Sequence, residues 1–295
     1  MPDGVGMPGG AGMTFRTFRR AGGPGRRTRP IRRASAGLTP VRAGAALAML
    51  LSAGAVYGLA ATSAFGFGRL EIEGTTITPD ATIRDRLGLT EGENILEIQT
   101  EPLEDRLLEI PAIAAAEISI GLPDTVAVRI DERQPILVWR IGERRLLVDG
   151  TGLLFAALDD AAAPALAELP VVADDRDASA RLAIGQTVDP VDFDAARRLA
   201  SLTPDAIGSS ASSLAVGVTD ENGFVLNSAP EGWVAVFGFY GRSLRTPELV
   251  PGQALLLKEL LLGREATVGL VILADDRDGT YFPRASPGPS AEPNP

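Results

Sequence analysis

The chain contains no cysteine and no histidine. Without thiols there are no disulfides, no thiol nucleophile and no Cys-ligated metal, so any exported part must be held together by burial. Without imidazole, Ser-His-Asp and Cys-His chemistry, the usual zinc ligand sets and the commonest general base are excluded as well. Lysine is nearly missing too: of 28 basic residues, only Lys258 is not an arginine. Aromatic residues make up 5% of the 295, and the net charge is −10. A chain this acidic argues against nucleic acid as its partner.

What is present begins with a long uncharged run. Residues 43–68, AGAALAMLLSAGAVYGLAATSAFGFG, lie between Arg42 and Arg69 without a single charge. About 20 apolar residues cross the hydrocarbon core of a bilayer, so the run predicts a transmembrane helix over residues 43–66. The alternatives are a buried Ala-rich helix and the core of a cleaved signal. Against cleavage, the run is longer than the roughly 7 to 15 residues of a signal and begins far from the first residue. Up to Arg42 there are nine arginines and one acid, Asp3, a balance of about +8 that leaves about −18 for everything after it. Positive charge beside a span stays in the cytoplasm, which puts residues 1–42 inside and the acidic remainder outside. The RRTRPIRR run is read as this topology signal, with headgroup binding as the alternative. Residues 1–42, rich in Gly, Pro and Arg, and the Pro-rich residues 285–295 are expected to be disordered tails.

After the span, short elements follow. Leu70 and Ile72 alternate with charged residues, as in a strand. Thr78, Pro79 and Asp80 read as a helix start with Thr78 as N-cap, Ile83 and Leu87 share a face, and Gly88 closes the helix. Residues 94–98 read as a short strand, and Thr100, Glu101 and Pro102 open a second helix that Pro111 ends. Two strands, 117–120 and 125–131, flank the turn GLPDT. Such a unit buries one face of a small sheet under two helices.

The run LEIEGTT, ITPDATIRDRLGLTEGENILEI, LLEIPAI and ISIGLPDTVAVRIDERQPILVW resembles the POTRA domain of the bacterial cell-division proteins FtsQ and DivIB. The ERQP motif after a paired strand is its most specific piece. Further on, LLVDGTGLLF and LPVV resemble the elements that open the family's second, β-rich domain, so the resemblance covers about residues 42–284. It implies an α+β fold in five parts: a basic disordered cytoplasmic tail (1–42), a single transmembrane helix (43–66), a small POTRA domain with a sheet and two helices (67–133), a β-rich domain with two helices (134–284) and a disordered tail (285–295). It also implies a non-enzymatic divisome scaffold in the cytoplasmic membrane at the septum. Its partners would be an FtsB/DivIC-type protein, itself paired with an FtsL-type protein, and other divisome components, with no cofactor and no small-molecule substrate. The second reading is a POTRA-bearing envelope assembly or export component.

Beyond residue 134 the pattern gives a helix at 192–202, strands at 214–218 and 233–239 with the turn DENG between them, a Leu-rich helix at 248–262 containing Lys258, and two last strands, 267–274 and 280–284, around DDRDG. Three acid clusters, Asp159 with Asp160, Asp174 with Asp175 and Asp177, and Asp275 with Asp276 and Asp278, raise the possibility of a hydrolase. A glycosidase needs two carboxyls facing each other across a cleft, whereas these sit beside turns, where Asp is commonly solvated or capping. DDRDG lacks the closing Glu of a Ca²⁺ loop, and GLPDT and DGTG join strands rather than opening a helix, as a phosphate loop must. Trp139 reads as core or as a plug between domains.

The last strand pair is the candidate site. If residues 280–284 pair with 267–274 at the end of the sheet, the outer edge offers free N–H and C=O groups to a partner strand, with Tyr281 and Phe282 as anchors. The family resemblance carries partner binding onto Tyr281, Phe282 and Pro283, and onto Leu270, Ile272 and Lys258 in the preceding strand and helix. Ile272 is followed by Leu273 where the family often has Ile-Asp, which leaves the register open by one or two residues. The other role for Tyr281 and Phe282 is to close the core.

Overall fold

The computed structural model describes residues 39–60, 65–159, 164–230 and 232–284. The disorder expected for the arginine-rich start and for residues 285–295 falls outside them, apart from residues 39–42. The uncharged run forms α1 (Pro40–Ala60), with proline in its first turn, where a missing N–H costs nothing. A 19-residue stretch of it, Pro40–Gly58, has a mean hydropathy of 1.4 and is long and apolar enough to cross a membrane. The helix starts three residues before the uncharged run and ends at Ala60. Phe65 and Gly66 already belong to the next unit, where Gly66 bridges Asn94.

That unit opens with β1 (Arg69–Glu73), α2 (Asp80–Leu87), α3 (Thr100–Leu108), β2 (Ile113–Gly121) and β3 (Thr125–Glu132). The strand order is β1-β3-β2, with β1 parallel to β3 and β2 antiparallel to it. Alternation puts Ile118, Val126, Val128 and Ile130 on one face, where they meet Ile83 and Leu87 of α2 and Leu103 and Leu107 of α3. Gly88 ends α2 in the left-handed conformation (φ 62°) with its N–H on Arg84 O.

Two local expectations are corrected here. Thr78 is not the N-cap of α2. The Glu132 carboxylate takes the amides of Thr76, Ile77 and Thr78 at 2.6–2.8 Å, so the helix begins only after Pro79. Residues 94–98 are a turn rather than a strand, with Ile95 buried in the core and Asn94 joined to Gly66 by an isolated bridge. A single large apolar residue there is enough to plug the core, so no ladder is needed.

The rest of the unit is built on one nine-stranded sheet: β4 (Pro135–Ile141), β5 (Arg144–Asp149), β6 (Leu154–Ala157), β7 (Val171–Asp174), β8 (Ser213–Thr219), β9 (Gly223–Ala229), β10 (Val234–Gly238), β11 (Val268–Leu273) and β12 (Gly279–Pro283). The one-turn α4 (Pro164–Ala167), α5 (Pro190–Ala200) and α6 (Val250–Leu261) lie between them in sequence. The order is β12-β11-β10-β9-β8-β7-β4-β5-β6, with parallel pairs β4/β7, β7/β8 and β10/β11. One face carries Trp139, Val172, Val216, Leu226, Ala235 and Val271 and packs under Phe193 and Leu199 of α5 and Leu257 and Leu261 of α6. On the other face, Val138, Leu147 and Phe155 join the core of the three-stranded sheet.

The ERQP and DGTG motifs meet at this junction. Arg133 donates from Nε to Pro111 O (2.8 Å) and from Nη1 to Asp149 Oδ2 (2.9 Å), while Asp149 Oδ1 holds the turn through Thr151 and Leu153. Burial raises the Asp149 carboxyl, but these hydrogen bonds outweigh it and keep it below the ordinary carboxylate range.

A candidate interface at the terminal sheet edge

The site is the β11–β12 hairpin. Its turn is made by Asp275, whose Oδ1 accepts the Arg277 and Asp278 amides at 2.7 Å each, while Ala274 N–H donates to Asp278 O. The register left open by the sequence is Leu270 with Phe282, Val271 with Tyr281 and Ile272 with Thr280, with an irregularity between Val268 and Leu270. Gly269 sits at that bulge, where a Cβ would come within 2.9 Å of Arg284 Cα, so only glycine lets the strand end lie flat. The turn end of β11 is fixed from α6 and from the loop before that helix. Where β10 and β11 end side by side, Gln253 and Arg245 both donate to the Phe237 and Leu273 carbonyls.

The register sorts the anchors onto two faces. Tyr281 lies opposite Val271 on the helix-covered face, 40% exposed, with the Arg264 guanidinium 5.1 Å from its ring centroid. Leu256 and Leu260 of α6 reach the same side of the edge at Gly279. Phe282 (47% exposed) lies on the opposite face with Leu270 and Ile272 (41% exposed). That face continues through Val234 and Val236, then Val225 and Asn227, then Ala215 and Gly217, and carries no charged side chain across these strands.

The ladder also fixes which backbone groups are free. Ala274 donates to Asp278, so by antiparallel alternation Thr280 and Phe282 turn their N–H and C=O toward β11. Gly279 and Tyr281 turn theirs outward. Pro283 ends the edge, because it has a C=O but no N–H to offer. Five of the six residues singled out from sequence therefore gather at β11 and β12. Lys258 does not join them: its side chain lies against Gly208, on the flank of α6 away from Leu256 and Leu260. Gly279, Gly269 and the α6 leucines were missed; the glycines offered no signal of their own, and Leu256 and Leu260 looked like any other core leucine.

Two of the acid clusters have members that serve the fold, Asp275 in the hairpin turn and Asp174 in a buried network. Asp174 is fully buried and accepts from Trp139 Nε1 (3.1 Å), Ser179 Oγ (2.6 Å) and Arg176, which also pairs with Asp192 at 2.6 Å. Burial raises its carboxyl, but the Arg176 and Ser179 hydrogen bonds prevail and lower it. Asp174 thus departs from the solvated reading given to its cluster, and Trp139 is core. Asp160 lies outside the described residues. Among the described residues no group of three acidic side chains is placed to hold a metal ion.

A model of the POTRA domain, FtsQ-type, matches residues 65–133. A protein of Chloroflexus aurantiacus named cell division protein FtsQ is 29% identical over 178 residues, 60% of this chain and 55% of that one. Residues 65–133 thus match an FtsQ-type POTRA domain, and the chain is similar to cell division proteins named FtsQ. The Chloroflexus match is longer than everything up to residue 133, so the likeness to FtsQ runs into the nine-stranded sheet. Proteins of the same name from Mycobacteroides abscessus (27% over 139 residues, 47% of this chain and 44% of that one) and Streptomyces venezuelae (25% over 114 residues, 38% and 42%) match as well. The chain spans about half the length of these FtsQ relatives. The FtsQ-type POTRA match ends at Arg133, the residue that ties Pro111 to Asp149.

Proposed function

We propose that this chain is an FtsQ/DivIB-type, non-enzymatic cell-division scaffold that takes up an extended segment of an FtsB/DivIC-type protein, paired with an FtsL-type protein, at the free edge of β12. In this reading residues 1–42 are a cytoplasmic tail, 43–66 hold the anchor, 67–133 and 134–284 are the POTRA and β-domains outside the cytoplasmic membrane at the septum, and 285–295 are a tail. The relatives' name, cell division protein FtsQ, supports the cellular role. The arginine-rich start beside α1 supports the orientation.

The observation that carries the partner site is the edge itself. Outward N–H groups at Gly279 and Tyr281, and outward C=O groups at Gly279, Tyr281 and Pro283, match an added strand, and Pro283 sets where the pairing stops. Alternate side chains of that strand would meet Tyr281, Leu256 and Leu260 on one face and Phe282 and Ile272 on the other.

The test is capture of the exported FtsB/DivIC- and FtsL-type segments from the same organism by the full chain in detergent. Phe282→Ala and Tyr281→Ala, with unchanged circular dichroism, are each expected to weaken capture about 30-fold, the loss of an interface anchor of about 2 kcal/mol. Capture unchanged in both variants would remove β12 as the site.

A further inference from the structure

β2 (Ile113–Gly121) is the longest strand of either sheet and lies at an edge, with β3 on one side only. The ladder fixes where its backbone groups point. Arg69 N–H donates to Asp124 O at 3.1 Å, so Val126, Val128 and Ile130 of β3 turn toward β1, and Thr125, Ala127, Arg129 and Asp131 turn toward β2. The last four stand opposite Gly121, Ser119, Glu117 and Ala115. Ala116, Ile118 and Ile120 therefore turn their N–H and C=O groups away from the sheet.

One of these six groups is taken, and not by a strand. Glu104 of α3 reaches the edge, and its Oε1 accepts the Ile118 N–H at 2.8 Å. Ile118 is the middle one of the three outward residues, so the carboxylate sits at the centre of the open stretch. Its charge repels the carbonyls of an incoming strand, a common way of closing an edge. The other five groups have no partner among the described residues. β6 is closed differently, by backbone pairing of Leu154 with Gly185 and Gln186.

Behind Glu104 the edge is complementary to itself. A second β2, turned about a two-fold axis at Ile118, sets Ile118 opposite Ile118 and Ala116 opposite Ile120, and six N–H···O bonds then satisfy every outward group of both copies. On the face away from the helices, Glu117 stands opposite Ser119 of the other copy, so no like charges oppose each other. An axis at Glu117 would set Glu117 against Glu117, and an axis at Ser119 would run Ala116 into the turn at Leu122. We infer that Glu104 is a lock on this self-complementary edge: while it holds the Ile118 amide, copies of the chain stay apart along β2, and once it is removed β2 pairs with β2 of a second copy. Glu104 opposes that pairing twice, since it occupies the amide at the axis and the axis would bring two such carboxylates together. The inference uses no residue of the β12 site, so either stands without the other.

The chain has no cysteine, so introduced thiols report the pairing without background. Full-length chains with Glu117→Cys are mixed in detergent with chains carrying Ser119→Cys, and then oxidised. The pairing sets these two positions directly opposite, about 4.5 Å apart and within disulfide reach, whereas two copies of the same variant are offset by two residues and out of reach. With Glu104→Ala in both chains, the mixed disulfide dimer should rise about tenfold over the same mixture with Glu104 in place, and neither variant alone should form one. Glu104→Ser, too short to reach the amide, replaces the alanine if circular dichroism shows that chain unfolded. Equal cross-linking with Glu104 in place overturns the lock. Absence of the mixed dimer in the folded Glu104 variant overturns the self-pairing, and so does equal cross-linking within a single variant, which is collision without register.

Discussion

Glu265 ties three segments together from a single position. It accepts from Ser209 Oγ, from Ser210 N and Oγ at 3.0 and 2.8 Å and from Trp233 Nε1 at 2.8 Å, just ahead of β11. Burial raises its carboxyl, but these donors overcome it and bring the pKa down to about 2. A carboxyl depressed in the folded state adds stability that is present above its unfolded pKa, near 4.5, and is lost as the pH falls toward 2. Melting temperature should therefore drop between about pH 4.5 and 2, and Glu265→Gln should flatten that drop; an unchanged profile would show that Glu265 does not carry it. Asp174→Ala leaves Arg176 with only Asp192 in a largely buried site and should cost about 3–5 kcal/mol in denaturant unfolding, against well under 1 kcal/mol for exposed Asp175→Ala. The sequence shows three similar aspartates at 174, 175 and 177, and only burial separates them. In the same way the Thr-Pro-Asp signature at 78–80 was outweighed by a carboxylate 54 residues away, which no local pattern could reveal.

At the scale of elements, alternation and turn residues made most strands legible. Leu214, Val216 and Val218 lie in β8, and DENG turns into β9. The last hairpin was placed by DDRDG, but its register depends on the bulge at Gly269 and on the Asp275 turn, neither visible as a pattern of apolar residues. Gly269→Ala would push against Arg284, so the Arg284 amide, bonded to Thr267 O at 2.7 Å, should exchange faster while the amides of β8 and β9 keep their protection. Capture of the partner should weaken with it. Unaltered Arg284 exchange would mean that the neighbouring backbone gives way freely.

For the molecule beyond α1, the order of parts could be read from the chain, but the joining of two sheets through one core could not. Val138, Leu147 and Phe155 face the three-stranded sheet, while Leu137, Trp139, Leu146 and Val148 beside them face α5 and α6. Both sets are apolar, so the strands read as continuous runs with no sign of two different neighbours. Phe155→Ala should cost about 3–5 kcal/mol and lower the protection of Val126 and Val172 together, since the two sheets share that core. Loss confined to the three-stranded sheet would instead show two sheets that unfold separately. The central claim, strand addition at β12, is tested most directly by amide hydrogen exchange of the full chain with and without the exported FtsB/DivIC-type segment. The account predicts slowed exchange at Gly279 and Tyr281, with little change at Thr280 and Phe282, which are already bonded to β11. Tight binding that leaves Gly279 and Tyr281 exchanging as in the free chain would contradict it.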